Sequence, residues 1–181
     1  MEEFRKWASV HNLSRITRFH NKLRECLRES LATTASAESA DETIQQARNH
    51  DIDSLLRIIT FLMLYSHAEE WLHILSKKYF PHFTIKRGGS ITRYKKVIRD
   101  GFGIDVSSGA WQLLTDCEKL RNCLLHANGR IDLMKNAYEM KQIATRHGID
   151  VKLDRLQVTS NFLASFASEV ETFINELQKR A

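Results

Sequence analysis

Apolar residues recur every three or four positions along most of the chain. The clearest run lies near the C-terminus, where one face collects Phe162, Leu163, Phe166, Val170, Phe173, Ile174 and Leu177. A period close to 3.6 predicts an amphipathic helix with one buried face, and Thr159 or Ser160 is its predicted N-cap. Residues 151–158 alternate weakly and predict at most a short extended segment. The pattern as a whole predicts an all-α fold.

The first half of the chain predicts long helices. Residues 2–31 predict one long helix or two joined helices, and the small polar stretch 32–41 predicts a connection. Asp53 is the predicted N-cap of a long helix over 54–80, which Pro81 ends. Because the first half of that helix is apolar nearly all round, we expect it to be central and buried.

Further helices follow in the second half of the chain. A basic helix is predicted from Ser90 to Asp100, and another from about Ala110 to His126. Asn128 and Gly129 both tolerate left-handed backbone and so predict the end of the second of these helices. One more helix is predicted from Asp132 to Arg146.

Composition agrees with a single helical domain in a reducing compartment. The 181 residues include one proline and seven glycines, few enough for long uninterrupted helices. Three cysteines are too few for a disulfide scaffold or a zinc module. The N-terminal residues do not resemble a secretory signal, and the most apolar run, Leu55 to Tyr65, is too short to span a membrane. We therefore expect a cytoplasmic protein without membrane contact.

The net charge of +5 is concentrated in one stretch. From Trp71 to Arg99 there are eight basic residues and no Asp or Glu, interleaved with Tyr79, Phe80, Phe83 and Tyr94. Such a segment can bind a phosphate backbone and stack bases, or it can be a solvated surface whose rings turn into the core. The predicted RNA contacts are Lys86, Arg87, Arg93, Lys95 and Lys96.

One cation breaks the pattern of the predicted helix over 110–126. At 100° per residue, Arg121 lies in the middle of an apolar stripe formed by Ala110, Leu114, Cys117, Leu124 and Leu125. A guanidinium that cannot readily lose its proton is costly in such a place. It requires an anionic ligand, an interface, or a buried acid such as Glu69 or Glu70, unless it is a structural arginine whose long side chain reaches out to water.

A polar pair follows Arg121 on the same helix. Asn122 and His126 are four residues apart, so their side chains can meet, and the helix dipole favours an imidazolium in the last turn. Arg121 and His126 are about 140° apart on an ideal helix. Joint action therefore needs the long reach of Arg121, a distortion near Asn128-Gly129, or a second subunit.

The segment from Leu120 to Gly129, LRNCLLHANG, resembles the signature of the HEPN superfamily. That signature is an Arg followed by a polar residue and, after four to six intervening residues, a His near the end of a helix. Trp111, the acidic pair Glu69-Glu70 and the amphipathic closing helix are also similar to the family. The chain is predicted to form a single domain, 1–181. The resemblance covers a HEPN-like core over 50–181, and residues 1–49 form a helical extension that matches nothing in the family.

The resemblance carries expectations about architecture and activity. It implies an antiparallel helical bundle that dimerises and so brings two motifs together at a cleft. Many HEPN proteins are endoribonucleases of toxin–antitoxin, antiviral-defence or RNA-processing systems that need neither metal nor cofactor. The resemblance thus implies RNA as substrate and an antitoxin or regulatory protein as a partner.

The residue types suit RNA cleavage by the substrate's own 2′-OH, which leaves a cyclic phosphate and a 5′-OH. His126 is the candidate acid or base, because imidazole titrates near neutral pH. Arg121 would hold the scissile phosphate and stabilise its developing charge. Asn122 would orient His126 or a phosphate oxygen, and Glu70 is a supporting residue.

Other functions stay open at this point. A non-catalytic HEPN-like module would bind RNA, a nucleotide or a protein partner, and a purely structural bundle would bury Arg121. Cys123 and His126 have the i, i+3 spacing of a thiol–imidazole pair. Glu70 and His73 have the Glu-x-x-His spacing of di-iron bundles, but the sequence holds no second such pair.

Overall fold

Long helices make up most of the architecture. The computed structural model describes residues 2–37, 42–85, 91–107 and 109–180, and within these ranges the side chains of 11–30 and of residue 50 onward. The helices are α1 (Glu2–Ala37), α2 (Glu42–Tyr79), α3 (Gly109–His126), α4 (Ala137–Arg146) and α5 (Ser160–Arg180). A hairpin of two antiparallel strands, β1 (Asp150–Lys152) and β2 (Arg155–Gln157), pairs Val151 with Leu156. The predicted all-α fold is confirmed, and the hairpin is the extended segment expected within 151–158.

α1 and α2 form an antiparallel pair. His20 Nδ1 of α1 lies 2.6 Å from Thr60 Oγ1 of α2. Further along α1, Arg24 and Arg28 form ion pairs with Asp53 at 3.2 and 3.4 Å. Because residue numbers rise along one helix as they fall along the other, the two helices run in opposite directions.

The structure changes the predicted boundaries of these two helices. α1 continues to Ala37, so the connection predicted over 32–41 is helical in its first part, and residues 38–41 lie outside the described residues. α2 begins at Glu42 and passes through Asp53 without a break, so the predicted N-cap is wrong. The carboxylate of Asp53 binds two arginines of α1 instead of capping a helix. The boundary predicted at residue 50 falls inside α2.

α2 is the central helix, but it is not buried all round. Phe61 and Tyr65 are fully buried, and the Phe61 ring lies 5.7 and 5.5 Å from the rings of Phe162 and Phe166 on α5. A different face leaves apolar side chains exposed beside α1. We call these residues the α2 stripe: Phe19 of α1 with Leu55, Ile59 and Met63 of α2. The expectation of a fully buried first half is wrong, because α1 and α5 cover only part of its circumference.

The segment between α2 and α3 is helical but irregular. α2 ends at Tyr79, as Pro81 predicts. A 3₁₀ turn (Ile91–Tyr94) and a π-helical turn (Val97–Gly101) replace the regular basic helix predicted from Ser90, a residue outside the described ones. A Cβ at Gly101 would lie 3.1 Å from the Phe80 ring, so close packing against the residue after α2 favours glycine there.

The C-terminal helices follow the sequence prediction closely. Thr159 Oγ1 accepts a hydrogen bond from the Phe162 amide at 3.1 Å and caps α5, whose predicted core face is buried throughout. α4 is shorter than the predicted helix, since a 3₁₀ turn precedes it and Asn136 caps it. Within the described ranges, none of the helices is long and apolar enough to cross a membrane.

A buried histidine makes the stability of this fold depend on pH. His67 is 5% exposed, packs edge-on against the Trp71 ring, and its Nε2 has no hydrogen-bond partner among the described residues. Burial lowers the pKa of His67 from 6.5 to about 4. Between pH 6.5 and pH 4, the His67 imidazole is protonated in the unfolded chain but stays neutral in the native state. His67 therefore has no effect on the free energy of unfolding above pH 6.5, and it lowers that free energy as the pH falls toward 4.

We expect the free energy of unfolding to fall by about 2 kcal/mol between pH 7.5 and pH 5 on account of His67 alone. Urea unfolding of the wild type and of His67→Leu at both pH values isolates this effect. His20, whose pKa burial also lowers, is present in both proteins and so cancels in the comparison. An identical pH dependence of the two proteins would contradict the expectation.

Candidate functional site

The candidate site lies on the C-terminal half of α3. The helix ends at His126, and a hydrogen bond of 3.0 Å from the Gly129 amide to the Cys123 carbonyl closes its last turn. Asn128 (φ 50) and Gly129 (φ 75) adopt the left-handed backbone that was predicted to end the helix. His126 is therefore exposed in the last turn, and it forms no hydrogen bond or ion pair with another described residue.

Arg121 lies at the edge of the buried face of α3 and not in its middle. Cys117, Leu120 and Leu124 point into the core, whereas Leu125 is 47% exposed. The apolar stripe predicted to surround Arg121 is thus partly open to solvent, and the Arg121 side chain is half-buried. A buried carboxylate is not needed to compensate a cation at such a position.

Two neighbours hold the Arg121 side chain. Its Nη1 donates to Oδ1 of Asn122 at 3.2 Å, and its Cζ lies 5.5 Å from the centre of the Tyr65 ring on α2. Across the described ranges, Arg121 forms no ion pair with a carboxylate. The Asn122 amide, predicted to orient His126 or a phosphate oxygen, contacts Arg121. The guanidinium is thus fixed by a ring and an amide and forms no direct ion pair with a described carboxylate.

Carboxylates surround Tyr65, but they are engaged or buried. Glu69 accepts a hydrogen bond from Arg93 at 3.2 Å, and Oε2 of Glu118 is buried with no hydrogen-bond partner among the described residues. Burial, and then the charges of Glu118 and Glu69, raise the pKa of Tyr65 above its usual range. The Tyr65 hydroxyl is therefore protonated at neutral pH, and the ring beside Arg121 is uncharged.

Glu70 faces another part of the molecule. It is exposed and lines a groove of about 590 Å³ between α1 and α2, together with Asn12 and Arg15. Adjacent residues of a helix point about 100° apart, so Glu69 lies toward Arg93 while Glu70 lies toward the groove. The acids that the structure brings to the surroundings of Tyr65 are Glu118 and Glu69, and not the predicted supporting residue.

The predicted RNA contacts are spread over different environments. Lys86 and Arg87 lie outside the described residues. Arg93 is bound to Glu69 and lies over the Tyr94 ring, with its Cζ 4.8 Å from the ring centre. Lys95 and Lys96 are exposed and can meet a phosphate.

The aromatic rings of the same basic segment turn toward the core. Tyr94 is fully buried, and its hydroxyl lies 3.2 Å from Nδ1 of His73. Phe80 packs on Phe102 with ring centres 4.7 Å apart. These rings support the fold, and Tyr94 is buried too deeply to stack on a base.

The β-hairpin brings cations to the end of α3 that the sequence analysis missed. The Leu156 amide donates to the Gly129 carbonyl at 2.9 Å, and Arg155 Nη1 donates to the Asn128 carbonyl at 2.8 Å. Arg130 forms a backbone bridge to Arg155. Two exposed arginines therefore lie at the same end of α3 as His126. The sequence offered only the weak alternation over 151–158, which predicts an extended segment but not its position beside the end of α3.

The thiol alternative does not fit the geometry. Cys123 is fully buried, and burial raises its pKa to about 11, so little thiolate forms near neutral pH. Over the described ranges, no group of three or more His, Cys, Asp or Glu side chains is placed to hold a metal ion. Arg121, Asn122 and His126 are thus the chemically suited residues in the C-terminal half of α3, although the structure shows no contact between Arg121 and His126 among the described residues.

Comparisons with known proteins assign no family to this chain, and the resemblance of residues 120–129 to the HEPN signature stays a prediction from the sequence. No protein-family model matches the chain, and no match is found among curated proteins or solved structures.

Proposed function

We propose that the chain is a cytoplasmic, metal-independent endoribonuclease of the HEPN type. One observation carries the proposal: Arg121 is held near the surface by a ring and an amide, with no carboxylate partner in the described ranges, on the same helix as exposed His126. A guanidinium without a counter-ion can bind a phosphate. Arg93, by contrast, is in an ion pair with Glu69.

The proposed reaction is a transesterification within the RNA. The 2′-oxygen attacks phosphorus and loses its proton, while the bond to the 5′-oxygen breaks and that oxygen gains a proton. Arg121 stabilises the charge that develops on the phosphorane, and His126 transfers one of the two protons. Arg155, Lys95 and Lys96 would contact flanking phosphates without regard to sequence.

We propose that two copies of the chain form the active species, since one imidazole per chain transfers one proton at a time. The α2 stripe supports a dimer, because exposed apolar residues at helical spacing are typical of an interface. Arg15 and Glu70 both border the adjoining groove. In a two-fold arrangement the cation of one copy can therefore meet the carboxylate of the other.

Ile59→Lys is expected to shift the protein from dimer toward monomer in sedimentation equilibrium. The melting temperature of the monomer should change little, because Ile59 is already 45% exposed. Leu153→Lys is the matched control, since Leu153 is 98% exposed at the tip of the hairpin. A monomeric wild type would contradict the dimer, and an unchanged Ile59→Lys dimer would place the interface away from the α2 stripe.

Incubation of the purified protein with mixed RNA in EDTA tests the nuclease. We expect fragments that end in a 2′,3′-cyclic phosphate and begin with a 5′-OH. Intact RNA with a folded, dimeric protein would favour the second function, a non-catalytic HEPN-like module that binds RNA, a nucleotide or a protein partner. Fluorescence anisotropy with labelled RNA would then show whether the surface around Arg121 binds RNA without cleaving it.

We place this nuclease among toxins and antiviral-defence effectors, restrained by an antitoxin or a regulatory protein. An unrestrained endoribonuclease would destroy the RNA of its own cell, so restraint is expected. Expression of the chain alone should arrest growth and degrade cellular RNA. Unimpaired growth with intact RNA would contradict a free toxin.

A further inference from the structure

We propose that Tyr65 is a positioning residue for Arg121, a role that rests on the proposed nuclease function. The Tyr65 ring on α2 provides the face over which the Arg121 guanidinium of α3 lies, with Cζ 5.5 Å from the ring centre. Such a contact attracts a cation through the quadrupole of the ring. It fixes the long Arg121 side chain against a second helix before any substrate binds.

A ring suits this purpose better than a carboxylate. A carboxylate would bind the N–H groups of the guanidinium and compete with the RNA phosphate for them. A ring binds the flat face of the guanidinium and leaves N–H groups at its edge for a phosphate. A hydrogen bond also orients the guanidinium, because Nη1 of Arg121 donates to Oδ1 of Asn122 at 3.2 Å.

The surroundings of Tyr65 hold its ring in place and keep it uncharged. Tyr65 is fully buried, and of the two nearby carboxylates Glu69 is in an ion pair with Arg93 while Oε2 of Glu118 is buried. The buried hydroxyl of Tyr65 lies near the Ile91 backbone and forms no hydrogen bond with a described side chain. The face of the ring is therefore the part of the side chain that acts on Arg121, and a phenylalanine can supply the same face.

Cleavage assays on two variants of Tyr65 test the positioning role. Tyr65→Phe should retain most of the wild-type rate at saturating RNA, whereas Tyr65→Leu should lower that rate about tenfold, the loss expected for one desolvated cation–π contact. The matched control is Phe61→Leu, which removes a fully buried ring from the same helix where it contacts α5. It should destabilise the fold comparably and leave the rate per folded molecule unchanged.

A second measurement does not depend on cleavage. The side-chain proton resonances of Arg121 should show an upfield ring-current shift in the wild type, in Tyr65→Phe and in Phe61→Leu, and should lose it in Tyr65→Leu. Arg121→Lys assigns these resonances. The measurement separates the placement of Arg121 from the chemistry that it performs.

The two measurements separate failure of this proposal from failure of the nuclease. Loss of both the ring-current shift and the rate in Tyr65→Leu alone would support the positioning role. Equal rates in Tyr65→Leu and Phe61→Leu would overturn it, as would Arg121 resonances that are the same in the wild type and in Tyr65→Leu. An inactive wild type that keeps the ring-current pattern would refute the nuclease and, with it, the catalytic purpose of the contact.

Discussion

Arg121→Ala is expected to lower metal-free RNA cleavage by about 10²–10³-fold, the loss typical when one charge-stabilising donor is removed from a transition state. Arg121→Lys should recover only a small part of the rate. A lysine keeps the charge but loses the planar group that lies over Tyr65 and reaches Asn122. Because Arg121 is half-buried and in no ion pair with a described carboxylate, both variants should remain folded.

His126→Ala is expected to lower the same rate by about 10²–10⁴-fold, the range for loss of a general acid or base. RNA affinity should change little, since His126 would act on protons and not on the phosphate charge. Initial rates on a fluorogenic RNA in EDTA, with anisotropy for binding, measure the two effects separately. His50→Ala is the matched histidine control, because His50 is an exposed residue of α2 beside Asp51.

A charge control is needed on α3 itself. Lys119 is a partly exposed cation of that helix, paired with Glu139 at 2.5 Å, and Lys119→Ala should cleave RNA at close to the wild-type rate. Undiminished cleavage by the Arg121 and His126 variants would point to a contaminating nuclease or to a site elsewhere. Loss of binding without loss of cleavage chemistry in Arg121→Ala would give that residue a role in affinity alone.

The parts of the fold predicted well are those with one dominant packing face. α5 has a single apolar face, so its helical period, its buried residues and the Thr159 cap all follow from local sequence. The end of α3 could also be predicted from local sequence, because Asn128 and Gly129 are among the residues that adopt left-handed backbone readily. Such features need no knowledge of what the helix packs against.

The parts that were mispredicted depend on partners distant in sequence. Asp53 looks like a helix cap until the arginines of α1 are placed beside it. The apolar first half of α2 looks buried, but only the arrangement of α1 and α5 decides which face stays open. The same holds for the site: the motif gave Arg121 and His126, whereas Tyr65 contacts Arg121 from α2 and Arg155 contacts the Asn128 carbonyl from the hairpin.

Asp116→Ala is expected to be the most destabilising of the substitutions considered, lowering the free energy of unfolding by about 3 kcal/mol. Asp116 is 1% exposed, and its Oδ2 accepts from Arg146 at 2.6 Å and lies 2.9 Å from Nε2 of His147. Its Oδ1 accepts from Gln112 at 3.0 Å. The carboxylate thereby ties α3 to the C-terminal end of α4, and its removal leaves the buried amide and imidazole groups without a partner.

The expected loss lies at the lower end of the range for buried ion pairs because Arg146 is 51% exposed and can turn into water. For the same reason Arg146→Ala, the matched control, should cost only about 1 kcal/mol or less. Urea unfolding followed by circular dichroism measures both variants, and a loss below that of Arg146→Ala would contradict the central role of the carboxylate. Asp116 lies on the α4 side of α3, away from Tyr65. The variant should therefore reduce the folded fraction while each folded molecule cleaves RNA normally, which separates the stability of α3 from the chemistry proposed for Arg121 and His126.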